Sequence, residues 1–168
     1  ELTLRLLQAD GSRRAWHGYC TQASWLGSDG GLARYRLRLE SFLAFLDRRR
    51  DSFLFQDMSV IEVIDSLFGD YNGQGRLVPA WRWSLRDASV YTRRSVITQY
   101  EESDFDFVTR LLAEEGLFYC FEHETKDGDA LGVHRMVIAD ANDVFIDNAQ
   151  AGDPELERMA GGAGSSIG

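Results

Sequence analysis

Leu2, Leu4 and Leu6 alternate with polar neighbours, which places them on one face of an extended strand. Asp10-Gly-Ser reads as a turn into a second strand over 15–26, with Trp16, Tyr19 and Trp25 as its bulk. Gly27-Ser-Asp-Gly-Gly31 is the strongest turn signal in the chain. In the third strand Ala33, Tyr35, Leu37 and Leu39 share a face expected to point inward, and Arg34, Arg36, Arg38 and Glu40 share the other. The first forty residues therefore predict an antiparallel meander with one wet or ion-paired face. Helical spacing follows. Ser41 is placed to cap a short helix through Leu46 that runs into Arg48-Arg49-Arg50. Ser59 and Glu62 form a capping box ahead of a stripe of Val60, Val63, Ile64, Leu67 and Phe68. Short strands are expected over 80–85, with Trp81 and Trp83 on one face, and over 95–100. Ser103 caps the next helix, with Asp104 and Asp106 in its first turn and Gly116 as its left-handed end. Its apolar stripe reads as Phe105, Val108 and Leu112, flanked by Phe107 and Leu111. A strand over 117–122, a hairpin loop over 125–129 and a return strand over 132–139 complete the pattern. The fold class is α+β, mainly antiparallel β, with short capped helices.

The pattern begins inside a strand and fades after Ala151, where a glycine- and serine-rich run reads as a linker or frayed tail over 151–168. Residues 1–150 are thus expected to be a piece of something longer, with two submodules of about 1–90 and 91–150. A length of 168 residues suits one ordinary domain, and 44% hydrophobic content fits a globular chain rather than a disordered one. No run approaches the roughly 18 apolar residues of a membrane span, and the first residues carry no signal-peptide pattern.

Charge changes the picture more than length does. The net charge is −9, and it is uneven: residues 1–100 hold 14 Arg against 11 acids, whereas residues 101–168 hold 4 basic residues against 16 acidic ones. A surface this acidic does not attract a phosphate backbone, so nucleic acid is excluded as the natural partner. All the basic residues except Lys126 are Arg, a side chain suited to fixed ion pairs. The Arg48–Arg50 run, bracketed by Asp47 and Asp51, reads as a salt-bridged helix end. Cys20 and Cys120 lie in apolar or alternating stretches and read as small buried hydrophobes rather than a disulfide or a nucleophile.

The acids Glu101, Glu102, Asp104 and Asp106 would be the natural pair-forming carboxylates for hydrolysis or cation binding, but acids at a helix start are expected for capping alone. His17, His123 and His134 are far apart and show no metal-ligand spacing. Asp140-Ala-Asn-Asp143 lacks the glycine and the downstream glutamate of a calcium loop. No nucleophile elbow, phosphate loop or dinucleotide fingerprint is present. The residues predict no catalytic group, no cofactor and no metal.

The segment from Tyr100 to His123, Tyr-Glu-Glu-Ser-Asp-Phe-Asp-Phe-Val-Thr-Arg-Leu-Leu-Ala-Glu-Glu-Gly-Leu-Phe-Tyr-Cys-Phe-Glu-His, closely resembles a signature of the valine-glycine repeat protein G (VgrG) family. Its matching positions include Tyr100, Glu102, Ser103, Asp104, Phe107, Val108, Arg110, Leu111, Glu115, Gly116, Phe121, Glu122 and His123. Further matches stand in order: Trp16-His-Gly18, Leu32-Ala-Arg-Tyr-Arg-Leu37, and Arg49-Arg-Asp-Ser-Phe-Leu-Phe-Gln-Asp-Met-Ser-Val60, which contains Phe55, Gln56 and Asp57. Cys120 departs from the family by standing where an aromatic is common.

This resemblance implies β-barrel-like modules of the kind found in contractile phage tail hubs. It also implies a non-enzymatic, structural role in the spike of the bacterial type VI secretion system. The expected assembly is a trimer whose hub modules sit on the hexameric Hcp tube, built in the bacterial cytoplasm and exported with the spike for effector delivery. The family's needle lies outside the match, so needle-borne functions do not transfer. Arg34, Arg36 and Arg38 could then meet Glu101, Glu102 and Glu114 within or across subunits. The equivalent hub of a phage or phage-like tail is the alternative, and a carboxylate-based cell-wall hydrolase the more distant one.

Overall fold

The alternation of the first forty residues produces three antiparallel strands in the order β1 (Leu2–Leu7), β2 (Arg13–Asp29) and β3 (Leu32–Glu40). The computed structural model describes residues 1–9, 11, 13–124 and 132–145. β2 is 17 residues long and serves two ladders: residues 13–18 pair with β1, and residues 19–29 pair with β3. Gly18 sits at the changeover, where a Cβ would lie 2.6 Å from the Glu40 carbonyl oxygen. Only a glycine admits that approach without moving backbone.

The expected inward face of β3 is not covered. Tyr35 and Leu37 are 66% and 53% exposed. Alternation fixes which residues share a face, but it does not say whether another layer lies on that face. Cys20 shares it and is exposed rather than buried, and Cys120 is half-buried; both are free thiols.

α1 (Leu43–Leu46) is a single turn. Its cap position is Phe42, not Ser41, and no side chain caps it; the Ser41 carbonyl accepts the Ala44 N–H instead. The arginine run is not a basic helix end either. Arg48 lies over the Phe45 ring, Arg49 reaches a buried carboxylate, and Arg50 opens β4 (Arg50–Met58). The sequence hides that strand, whose polar residues interrupt the alternation. It is set by antiparallel pairing with β6 (Arg94–Ser103).

α2 (Val60–Asp70) has the capping box: Ser59 Oγ accepts the Glu62 N–H, and the Glu62 carboxylate accepts the Ser59 N–H. Its stripe of Val60, Val63, Ile64, Leu67 and Phe68 is buried. β5 (Trp81–Ser84) follows, and both indole N–H groups of Trp81 and Trp83 donate to Asp65 Oδ1 of α2, at 2.6 and 2.9 Å. α3 (Asp104–Glu114) is capped by Ser103, which accepts the Asp106 N–H. Its buried stripe is Phe107, Val108, Leu111 and Leu112, with Phe105 only partly buried. Phe107 stacks on Phe55 of β4, centroids 5.7 Å apart, so it belongs to the buried stripe that the sequence centred on Phe105. Gly116 ends it at φ +70°.

β7 (Phe118–Glu124) and β8 (Val133–Ala139) are antiparallel, and β5 joins β8 in parallel, giving the order β5–β8–β7. The expected hairpin loop over 125–129 and the tail over 151–168 lie outside the described residues. The β4–β6 and β5–β8 ladders both join residues from either side of position 90. The core runs through Phe42, Leu46, Phe68, Phe107, Leu111, Met136 and Ile138, all fully buried. The architecture is mainly antiparallel β with short helices. Among the described residues no helix is long and apolar enough to cross a membrane.

Candidate assembly surface and its supporting network

Asp104 is completely buried and organises the centre of the structure. Its Oδ2 accepts from Arg49 Nε and from the Tyr71 hydroxyl, each at 2.5 Å, and its Oδ1 accepts from Gln99 Nε2 at 2.8 Å. Its own N–H donates to the Arg49 carbonyl, closing β4 against the start of α3. Arg49 also lies over the Tyr71 ring, 4.8 Å from its centroid. Burial, with Asp104 as the next cause, raises the Tyr71 hydroxyl pKa, so it remains a donor at any ordinary pH. A carboxylate satisfied by three side-chain donors is a bolt between α2, α3, β4 and β6, not a free acid or base.

Asp106 and Glu102 of the acidic cluster also have structural partners. Asp106 Oδ2 accepts from the Ser103 hydroxyl. Glu102 takes both ends of the Arg110 guanidinium, at 3.2 and 2.5 Å. Arg110 also reaches Glu114 and the Thr98 carbonyl, and Arg94 joins Glu114 to Glu115. Hydrogen bonding from Glu102 raises the Arg110 pKa further, and hydrogen bonding from Arg94 lowers that of Glu114. Glu102 and Glu114 are therefore engaged by Arg94 and Arg110, not by the β3 arginines. Among the described residues the only ion pair of those three is Arg34 with Asp29, at 3.8 Å between two exposed groups.

The remaining signature positions are spread over the molecule. Phe107, Val108 and Leu111 form core, and Phe121 packs against Phe42 and His134. Glu122 grips Arg82 with both carboxylate oxygens. Asp57 is exposed at φ +52°, next to exposed Gln56, and Tyr100 is 70% exposed. The structure gathers them into a scaffold rather than a pocket.

The β2–β3 ribbon is the part of the molecule with unfinished contacts. Its register pairs Trp25 with Tyr35, Ala23 with Leu37 and Cys20 with Leu39, so one face is apolar along most of its length, with Ser28 opposite Ala33 at the turn end. The opposite face carries Gln22 with Arg38, Ser24 with Arg36, and Gly27 with Arg34. Trp25, Tyr35 and Leu37 on the apolar face are 66%, 66% and 53% exposed, and Leu32 on the arginine face is 76% exposed. A two-stranded ribbon is marginal in water by itself, and a contiguous apolar patch of this kind marks an interaction surface.

Sequence spacing did not anticipate the grouping of His17, His123 and His134. The His17 N–H donates to His123 Nδ1 at 3.1 Å, and the two rings lie 5.9 Å apart. His123 and His134 are cross-strand partners in β7 and β8. In the structure Gly132, just before β8, lies against the same group: a Cβ there would be 2.0 Å from His17 Cε1. Among the described residues no group of three His, Cys, Asp or Glu side chains is arranged to hold a metal ion.

Residues 1–166 match the family described as phage tail baseplate hub (GPD). The chain is 33% identical over 141 residues to the type VI secretion system spike protein VgrG1a of Pseudomonas aeruginosa, covering 80% of this chain and 20% of that one. It is 34% identical over 138 residues to VgrG1b of the same organism, covering 79% and 18%. Its fold is similar, at a TM-score of 0.68 and 26% identity, to an E. coli type VI secretion component described as structurally similar to T4 bacteriophage tail proteins gp27 and gp5. That likeness covers 80% of this chain and 35% of the other. The chain spans about a fifth of the length of these curated relatives.

Proposed function

The chain belongs to the phage tail baseplate hub family, and from that premise we propose that it is a structural hub module of a type VI secretion spike. Its partners in this reading are an Hcp-like tube hexamer and other spike subunits, with three copies of the longer protein forming the hub. Assembly in the bacterial cytoplasm precedes export with the spike, and effector delivery belongs to the whole machine. Residues 1–150 act as one hub-like unit, and the role requires no catalytic group, cofactor or metal.

The observation that carries this reading is the uncovered ribbon of β2 and β3, one face apolar and the other arginine-rich. It projects from a body whose polar groups are tied into the Asp104 and Arg110 networks. A rigid body with one unsatisfied amphipathic arm suits a part that transmits force between neighbours. The phage tail alternative is favoured by the description of the family itself and shares the same surface chemistry.

Sedimentation velocity tests the proposal. The chain alone should run as a monomer or a weak associate, and should co-sediment with a hexameric tube ring. Trp25→Glu with Leu37→Glu tests the apolar face, and Arg36→Glu with Arg38→Glu tests the basic one. At least one pair should abolish co-sedimentation. Binding that survives both pairs, or a tight trimer of the unmodified chain that survives them, would place the assembly surface elsewhere.

A further inference from the structure

Two of the protein's three sheets, β1–β2–β3 and β5–β8–β7, meet at the histidine group, and the contacts there have an unusual polarity. Two backbone N–H groups, one in β2 and one at the cap of α1 two residues after β3, donate to imidazole nitrogens of the β7–β8 pair. One is the His17 N–H in β2, donating to His123 Nδ1 at 3.1 Å. The other is the Phe42 N–H at the cap of α1, donating to His134 Nε2 at 3.2 Å. An imidazole nitrogen accepts a hydrogen bond only while it carries a lone pair. Protonation would turn each acceptor into a donor facing another donor. Backbone N–H groups cannot reorient to suit it.

We propose that His123 and His134 form an acid-released latch that fastens the β1–β2–β3 sheet, through β2 and the segment leaving β3, to the β7–β8 pair and lets it go when either ring is protonated.

The surroundings disfavour the imidazolium in several independent ways. Tyr19 and Phe42 pack their rings on His134, with centroids 5.5 and 6.0 Å away, and Phe121 lies 5.9 Å from it. His17 is buried, shares a hydrogen bond with Thr3 Oγ1 at 2.8 Å, and is pressed against Gly132. The charges acting on the rings are cationic: Arg5 of β1 on His17, and Arg14 of β2 on His123. Nearby carboxylates are engaged elsewhere. Glu40 of β3 accepts from Thr21, Glu122 of β7 binds Arg82, and Glu124 of β7 binds Arg135 of β8. Glu1 acts on the Tyr19 hydroxyl, and α1 carries no charged side chain. Burial is the leading cause that lowers all three imidazole pKa values, and it takes His134 to about 4. A cleft of about 540 Å³ bordered by Trp16, Leu39, Glu40, Phe121 and His123 gives protons a route to the site.

The ribbon carries the apolar face proposed above as the assembly surface, so the latch sets whether that surface is held in a fixed direction. The inference needs only the geometry of the histidines and goes beyond the hub assignment.

Hydrogen–deuterium exchange on the 168-residue chain from pH 7.5 to 4.5, corrected for intrinsic exchange, reads the latch directly. Protection of the β1–β3 amides, including those of His17 and Phe42, should fall by about tenfold or more below pH 6.5. Amides of α2 and α3 should keep theirs. The double variant His123→Asn, His134→Gln supplies amide oxygens near the same positions, which accept but do not titrate. It should retain ribbon protection at pH 7.5 and change by less than about twofold down to pH 4.5. Imidazole titration followed by NMR in the unmodified chain gives a second measure: the midpoints of His123 and His134 in the folded chain should lie below 6.5, with protection falling between 6.5 and those midpoints. Unchanged ribbon protection at pH 4.5, simultaneous loss in α2 and α3, an undiminished response in the variant, or folded-state midpoints of both His123 and His134 at 6.5 or above would each overturn the proposal.

Discussion

Replacing Asp104 by alanine removes the acceptor at the centre of the protein and leaves its donors in place. Tyr71 is 4% exposed and Gln99 is 2% exposed, so neither orphaned donor regains water. Each buried unsatisfied donor costs about 1–3 kcal/mol. The Arg49 side chain is 35% exposed and recovers its hydration, so its share is small beside that of the two buried donors. The sum is a loss of about 3–5 kcal/mol, a large part of the stability of an ordinary domain. With a urea dependence of about 2 kcal/mol per molar, the midpoint should fall by about 2 M. Asp104→Asn retains one acceptor oxygen and should fall between the two. Adding Tyr71→Phe to Asp104→Ala removes an orphan, so the double variant should be less destabilised than the sum of the singles by about 1 kcal/mol. A midpoint for Asp104→Ala within about 0.5 M of the unmodified chain would refute the reasoning, because buried unpaired donors cannot be that cheap.

Gly18→Ala places a Cβ 2.6 Å from the Glu40 carbonyl oxygen, so it should cost about 1–3 kcal/mol in urea and loosen the β2–β3 junction in exchange measurements. Ser59→Ala removes the cap of α2 and should cost about 1 kcal/mol by the same assay. Trp25→Glu with Leu37→Glu alters exposed positions and should leave the urea midpoint nearly unchanged while abolishing association. Stability should fall as pH drops from 6.5 towards 4. His134 titrates near 4 when folded and near 6.5 when unfolded, so the unfolded chain binds more protons across that window. Its share of the loss is at most about 3 kcal/mol. Glu114 and Glu122, held below their ordinary 4.5 by Arg94 and Arg82 respectively, add their losses only below that pH.

Local patterns carried much of the architecture. Ser59 and Glu62 announce α2, Ser103 and Gly116 bracket α3, and alternation over β1–β3 marks the strands and their faces. Caps, turn glycines and side-chain period are properties of a few consecutive residues, so the sequence by itself determines them. The run from Tyr100 to His123 carried the family for the same reason: its glycine, caps and core positions are local requirements of one helix and one strand.

Tertiary structure decided whatever depends on residues far apart in the chain. Alternation put Tyr35 and Leu37 on one face, but only the arrangement of layers left that face open. The same arrangement exposed Cys20. The parallel pairing of β5 with β8, separated by about fifty residues, has no local signature. Asp104 looked like one more capping acid until Arg49, Tyr71 and Gln99 converged on it. His17, His123 and His134 became neighbours only because β2 crosses β7 and β8 at Gly132. The physical reason is one of range. Backbone sterics and capping act over a turn or a strand pair, whereas burial, charge pairing and proton affinity are set by whichever distant side chains the packed layers bring together.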